Sequence, residues 1–224
     1  GGVKAELVFE DRLDTEFVKA LAEKEIFAGK AEEVYFSMND KFEVVLLIGL
    51  GKEADIEFDM LRKTFFKVAE VLLKNKVAEV ELNIPKLNNL CNYKLAEAIA
   101  EGMLQATYKF DKFKSEKKET PELTVNYNPI PGKEHRAEKG IDEAEKLIES
   151  IFLTRDLINQ PANVIYPKTL ADITKERLEA KGVKVTVYGR KEIEELKMEA
   201  FLNVARASAK EPKLIVMEYY NNPE

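Results

Sequence analysis

The residues best suited to chemistry are thinly spread along this chain. There is one histidine, His135, in a charged stretch, and one cysteine, Cys91, among Asn88, Asn89 and Asn92. Cys91 has no nearby histidine or basic cluster, and a lone histidine in an exposed charged stretch is rarely catalytic, so neither reads as a catalytic group. Hydrolysis by paired metal ions would need several carboxylates converging on ions about 3.5–4 Å apart, ionising a shared water and clamping the developing charge. The 41 acidic residues mostly alternate with lysines, which is the pattern of solvated helix faces. No catalytic residue and no metal ligand is therefore assigned within the chain, and its substrate contacts are left open.

Three further segments carry candidate function. Gly49-Leu50-Gly51-Lys52 could cradle a nucleotide-like ligand, but it lacks the Walker spacing and the dinucleotide fingerprint, so small residues at a strand end are the simpler account. Lys109, Lys112, Lys114, Lys117 and Lys118 interleave with Tyr108, Phe110 and Phe113, a composition that can contact nucleic acid. Asp111, Glu116 and Glu119 weaken that field, and the segment reads as a solvated loop. In Asn159-Gln160-Pro161-Ala162-Asn163 the proline stops a helix and the asparagines are expected to bond loop backbone groups, stiffening the turn.

The elements that must position these groups follow from periodicity. A chain of 224 residues, 45% hydrophobic and 34% charged, can bury one sizeable core or two modest ones. No apolar run reaches the roughly 18–20 residues of a membrane helix, and the opening residues lack the pattern of a secretion signal. One cysteine fits a reducing compartment, and a net charge of −6 argues against general nucleic-acid binding.

Strands are expected at Val3–Phe9, Ala31–Phe36, Phe42–Leu50 and Val77–Ile84, the third apolar from Val44 onward and therefore covered on both faces. A helix over Thr15–Lys24 and a second starting at Asp55 or Asp59, with Phe58, Leu61, Phe65, Val68 and Leu72 inward, alternate with them. A third helix, Lys94–Ala106, carries Gly102 on its apolar face, which suggests a closely approaching backbone. After a short strand at Leu123–Tyr127 and the break at Asn128–Gly132 comes a long helix with Ile141, Ala144, Ile148, Ile151 and Phe152 buried and an Asp142–Lys146 pair on its wet side. Beyond Pro161 the pattern reads helix to Lys181 with Gly182 as its stop, strand at Val183–Val187, one or two helices in Lys191–Ala205, and strand at Leu214–Tyr220. A helical crossover predicts that those two strands are parallel.

Three segments together resemble the leucine aminopeptidase (cytosol aminopeptidase) family: Leu46–Lys52 followed by Leu61-Arg62-Lys63; Ala100–Ser115; and Arg155-Asp156-Leu157 with Asn159-x-Pro161-Ala162-Asn163, followed by Phe201-Leu202-x-Val204-Ala205. The resemblance implies an α/β fold: a macro-domain-like amino-terminal module over residues 1–132, a linker helix over 133–160, and the start of a peptidase catalytic domain over 161–224. It implies a cytoplasmic, hexameric peptide hydrolase that uses two divalent ions (zinc, manganese or magnesium). The family's ligand-bearing segments would follow the Leu214–Tyr220 strand, so this chain by itself is expected to be inactive. The alternative is a non-enzymatic binding or assembly module for nucleic acid or a nucleotide-like ligand. Two positions depart from the family pattern: Lys197-Met198-Glu199 stands where Gly-Met-Gly is usual, and Ala207-Ser208 where Gly-Ser is common.

Overall fold

The computed structural model describes residues 2–39, 41, 43–87, 89–117, 122–220 and 222. Phe42, Asn88, Lys118 and Glu119, each part of an expectation above, lie outside them. The chain divides into two compact units, Gly1–Phe152 and Leu153–Glu224.

The first unit is built on a five-stranded mixed sheet. Its strands are β1 (Val3–Val8), β2 (Val34–Met38), β3 (Val44–Gly49), β4 (Glu79–Asn83) and β5 (Thr124–Asn128), in the order β2-β3-β1-β4-β5. β3, β1, β4 and β5 run parallel, while β2 returns antiparallel at one edge. Strand alternation splits the core between two faces. Leu46 and Ile48 point toward helices α2 (Phe58–Lys74) and α3 (Asn92–Gln105), packing with Leu61, Phe65, Val68, Leu95 and Ile99. Leu47 and Val8 point the other way, toward Val18 and Leu21 of α1 (Glu16–Glu23) and toward Phe27. Thr15 caps α1, its hydroxyl accepting from the Val18 N–H at 3.2 Å.

Helix α4 (Glu134–Asn159) follows the sheet. The Asp142–Lys146 pair forms at 3.2 Å on its exposed side. Its buried stripe is a correction: Ala137, Gly140, Ala144 and Ile148 are buried, whereas Ile141, Ile151 and Phe152 are only partly so. The cause is Gly140, where an added Cβ would fall 2.2 Å from the Tyr93 carbonyl oxygen. Backbone contact with α3 there selects the small residues, not the large ones, for the innermost positions.

In the second unit, α5 (Pro167–Glu179) leads to β6 (Lys184–Tyr188), then α6 (Arg190–Glu195), α7 (Glu199–Ala205) and β7 (Leu214–Glu218). Gly182, at φ 80°, closes α5 as expected, with the Val183 N–H reaching the Leu178 carbonyl at 3.1 Å. The predicted parallel pairing is wrong. β6 and β7 are antiparallel, with Tyr188 opposite Leu214 and Lys184 opposite Glu218. One crossover helix would have carried the chain back to the start of β6. Two short helices instead deliver β7 beside the end of β6, so the pair is joined like a long hairpin.

Candidate functional site

The Gly49–Lys52 loop sits where β3 leaves the sheet, beside the end of β1, and its glycines are required by packing. A Cβ on Gly49 would stand 2.1 Å from the Lys30 carbonyl oxygen, and Gly51 adopts φ 71°. The loop amides are already bonded to backbone: Gly49 N–H to Glu33, Leu50 N–H to Val8 and Gly51 N–H to Gly29, all within 2.8–2.9 Å. A hollow of about 320 Å³ beside Gly51 and Lys52 is also lined by Glu10 and Asp55. With these amides engaged and two carboxylates facing one lysine, the loop is poorly suited to a phosphate.

The Lys109–Lys117 segment is exposed at most of its lysines, but its aromatic rings are engaged within the unit. Tyr108 packs against Phe152 with ring centres 5.1 Å apart, and Phe110 meets Phe113 edge-on at 5.9 Å. His135 is exposed in the first turn of α4. Cys91 is an exposed free thiol preceding α3. The structure therefore leaves the histidine, the cysteine and the lysine cluster in separate roles at element ends and loops.

The turn leading into α5 departs from the sequence expectation at Asn163. Asn163 is exposed, and its side chain makes no hydrogen bond among the described residues. The Pro161 carbonyl closes the turn by accepting from Val164 N–H at 2.9 Å and Ile165 N–H at 3.0 Å. Thr169 then ties the turn to the helix: its hydroxyl accepts from the Tyr166 N–H at 3.0 Å and reaches the Val164 carbonyl at 2.8 Å. Thr169→Ala is accordingly expected to destabilise the second unit by about 1–2 kcal/mol. Asn163→Ala should stay within about 0.5 kcal/mol. Thermal unfolding of both variants tests the assignment, and a larger loss for Asn163 would reverse it.

Lys197 shows how the chain tolerates one departure from the family pattern. It occupies φ 56°, immediately after α6, with its N–H bonded to the Glu194 carbonyl and the Met198 N–H to Ile193. This is the left-handed helix stop that glycine normally fills. Here a lysine adopts that conformation.

One buried charge escaped the sequence reading. Glu101 on α3 is 2% exposed. Arg62 Nη1 of α2 stands 3.5 Å from its Oε2, an ion pair without a well-formed hydrogen bond. Arg62 is shared with Asp59, which also binds Lys63 at 2.7 Å. Burial pushes the Glu101 carboxyl above its ordinary range, with Arg62 opposing the shift. The folded chain thus holds this proton more tightly than the unfolded chain, and Glu101 lowers stability as pH rises from about 4.3 through the raised value. Glu101→Gln should melt higher than the parent at pH 7, by roughly 2–4 °C, with the advantage shrinking as pH falls toward 4. A pH-independent difference would remove the charge from the account.

Among the described residues, no three His, Cys, Asp or Glu side chains are grouped so as to hold a metal ion. The described residues therefore bring together no ligand set for a two-metal centre, and no chemical step is assigned to them.

Two family descriptions match the chain in order. The amino-terminal domain of the cytosol aminopeptidase family covers residues 3–117, and the catalytic domain of the same family covers residues 152–224. The chain belongs to the cytosol aminopeptidase family. The probable cytosol aminopeptidase of Treponema denticola is 72% identical over 223 residues, covering 100% of this chain and 47% of that protein. The probable cytosol aminopeptidase of Clostridium tetani is 37% identical over 227 residues, covering 99% of this chain and 47% of its own. The chain thus spans about half the length of the curated relatives it matches. Among solved structures, a tomato leucine aminopeptidase mutant superposes with a TM-score of 0.81 at 22% identity, over 100% of this chain and 49% of that one. The bottromycin maturation enzyme BotP in complex with Mn gives 0.78 at 22% identity, over 97% and 45%. At that identity the likeness speaks for the fold.

Proposed function

We propose that this chain is the front half of a metal-dependent aminopeptidase that releases leucine-like residues from the amino termini of peptides in the cytoplasm. Residues 1–132 form its amino-terminal domain, 133–160 its linker helix and 161–224 the opening of its catalytic domain. The observation that carries the reading is the ordered match to both family domains, together with 72% identity along the chain to one cytosol aminopeptidase. Two divalent ions, zinc or manganese, would supply a water ionised near neutral pH and a clamp for the developing charge. Their ligands would be carried by family segments that follow the strand β7; among the described residues no such group comes together. Val204 is 86% exposed and Met217 56%, which suits a surface covered by further catalytic-domain chain or by subunits of a hexamer.

The test is turnover. Supplied with manganese, the 224-residue chain should release no product from a leucyl amide above buffer, while a polypeptide extended through its natural downstream sequence hydrolyses it. Turnover by the 224 residues alone would overturn the inactivity of this segment. An inert extended chain, folded and metal-loaded, would overturn the aminopeptidase reading itself.

A further inference from the structure

A groove of about 550 Å³ lies in the first unit between β5, α3 and the first half of α4. That is the volume of a small-molecule site. Its walls follow from strand and helix periodicity: Leu123, Val125 and Tyr127 share one face of β5, while Ile99 and Met103 come from one side of α3 and Ile141 from α4. Among the described residues, no lysine or arginine lines it.

Two features separate this groove from a packing defect. The Tyr127 hydroxyl lines it and is buried with no hydrogen-bond partner among the described residues, a state that folded proteins rarely leave unanswered. Burial also pushes that hydroxyl far above its ordinary pKa, so it is a neutral group able to donate or accept. In addition, Glu122 and Glu145 line the groove and are exposed, which places them at its open side. Neither makes an ion pair or hydrogen bond among the described residues. An apolar interior, one orphan hydroxyl and two carboxylates with no cation beside them among the described residues are complementary to a molecule of one kind.

We propose that this groove binds a small apolar amine, its hydrocarbon body against Ile99, Met103 and Val125, its ammonium group held by Glu122 and Glu145, and the Tyr127 hydroxyl pairing with a polar atom of the ligand. The site is made by the first unit alone and does not depend on the peptidase reading.

Tyramine and 4-ethylphenol are matched probes, sharing the phenol and differing in the amine. Titrated into the 224-residue chain and followed by calorimetry and amide chemical shifts, tyramine is expected to bind about tenfold or more tightly than 4-ethylphenol. Glu122→Gln and Glu145→Gln should each bring tyramine toward the 4-ethylphenol value while leaving 4-ethylphenol unchanged. Tyr127→Phe should weaken both probes, and Ala100→Leu, which fills the groove from α3, should abolish both. If Ala100→Leu proves unstable, the shifts in the parent chain decide, and they must centre on Met103, Val125 and Tyr127. Equal affinity for the two probes would make the groove a neutral apolar site and overturn the proposal. So would shifts centred elsewhere, or no saturable binding of tyramine.

Discussion

Gly102→Ala is expected to destabilise the first unit by about 3 kcal/mol or more, lowering its melting temperature by roughly 6–12 °C. On helix propensity alone the same change would stabilise by about 1 kcal/mol, so the predicted sign is opposite to the local expectation. The reason is space. A Cβ on Gly102 would lie 2.3 Å from the Arg62 carbonyl oxygen and 3.0 Å from the Phe66 nitrogen, both backbone atoms of α2. Neither can rotate away as a side-chain tip would, so α3 must lift from α2 across a contact that includes Leu61, Phe65 and Ile99. Gly132→Ala is the comparison: nothing lies within 4 Å of its added Cβ, and its φ of 80° alone should cost about 1 kcal/mol. Equal melting temperatures for the two variants, or a rise for Gly102→Ala, would mean that α2 and α3 do not touch backbone to backbone.

Phe65→Ala should remove about 3–5 kcal/mol, a large share of the roughly 5–15 kcal/mol that holds an ordinary domain folded. Phe65 is fully buried, in the cluster that joins α2 to Leu46 and Ile48 of β3 and to Leu95 and Ile99 of α3. Its ring fills the layer between sheet and helices, and alanine leaves a cavity that three packed elements cannot close. Phe113→Ala is the matched control at 56% exposure and should change stability by no more than about 0.5 kcal/mol. Denaturant titrations of the two variants read the difference directly. A Phe65 variant as stable as the parent would place that helix face outside the core.

Much of the first unit was legible because its signals are local and redundant. The apolar run through Leu46-Leu47-Ile48 announces a strand buried on both faces, and β3, flanked by β1 and β2, is buried so from Leu46 onward, while Val44 at its start is exposed. The 3.6-residue spacing of Leu61, Phe65, Val68 and Leu72 marks the inner face of α2, and all four are fully buried. Gly102 was readable as a close approach, because glycine weakens a helix by about 1 kcal/mol relative to alanine and is kept on an apolar stripe where another backbone needs the room. What failed was non-local. The stripe of α4 turned on Gly140 meeting the α3 backbone, and the direction of β7 turned on the net path of two short helices. The Glu101 charge was hidden because its neighbour Arg62 lies on another helix, far away along the chain.

By itself the sequence determined the family and the alternation of strands and helices, since each rests on residue order and spacing. Only the tertiary structure decided that Thr169 and not Asn163 ties the turn before α5, that the Gly49–Gly51 amides are bonded to neighbouring strands and loops, and that Tyr127, Glu122 and Glu145 share one groove. The loop amides and the groove depend on which distant backbones meet, and the Thr169 tie on the local turn geometry before α5; hydrogen-bond partners and burial of this kind are invisible to periodicity along a single strand or helix.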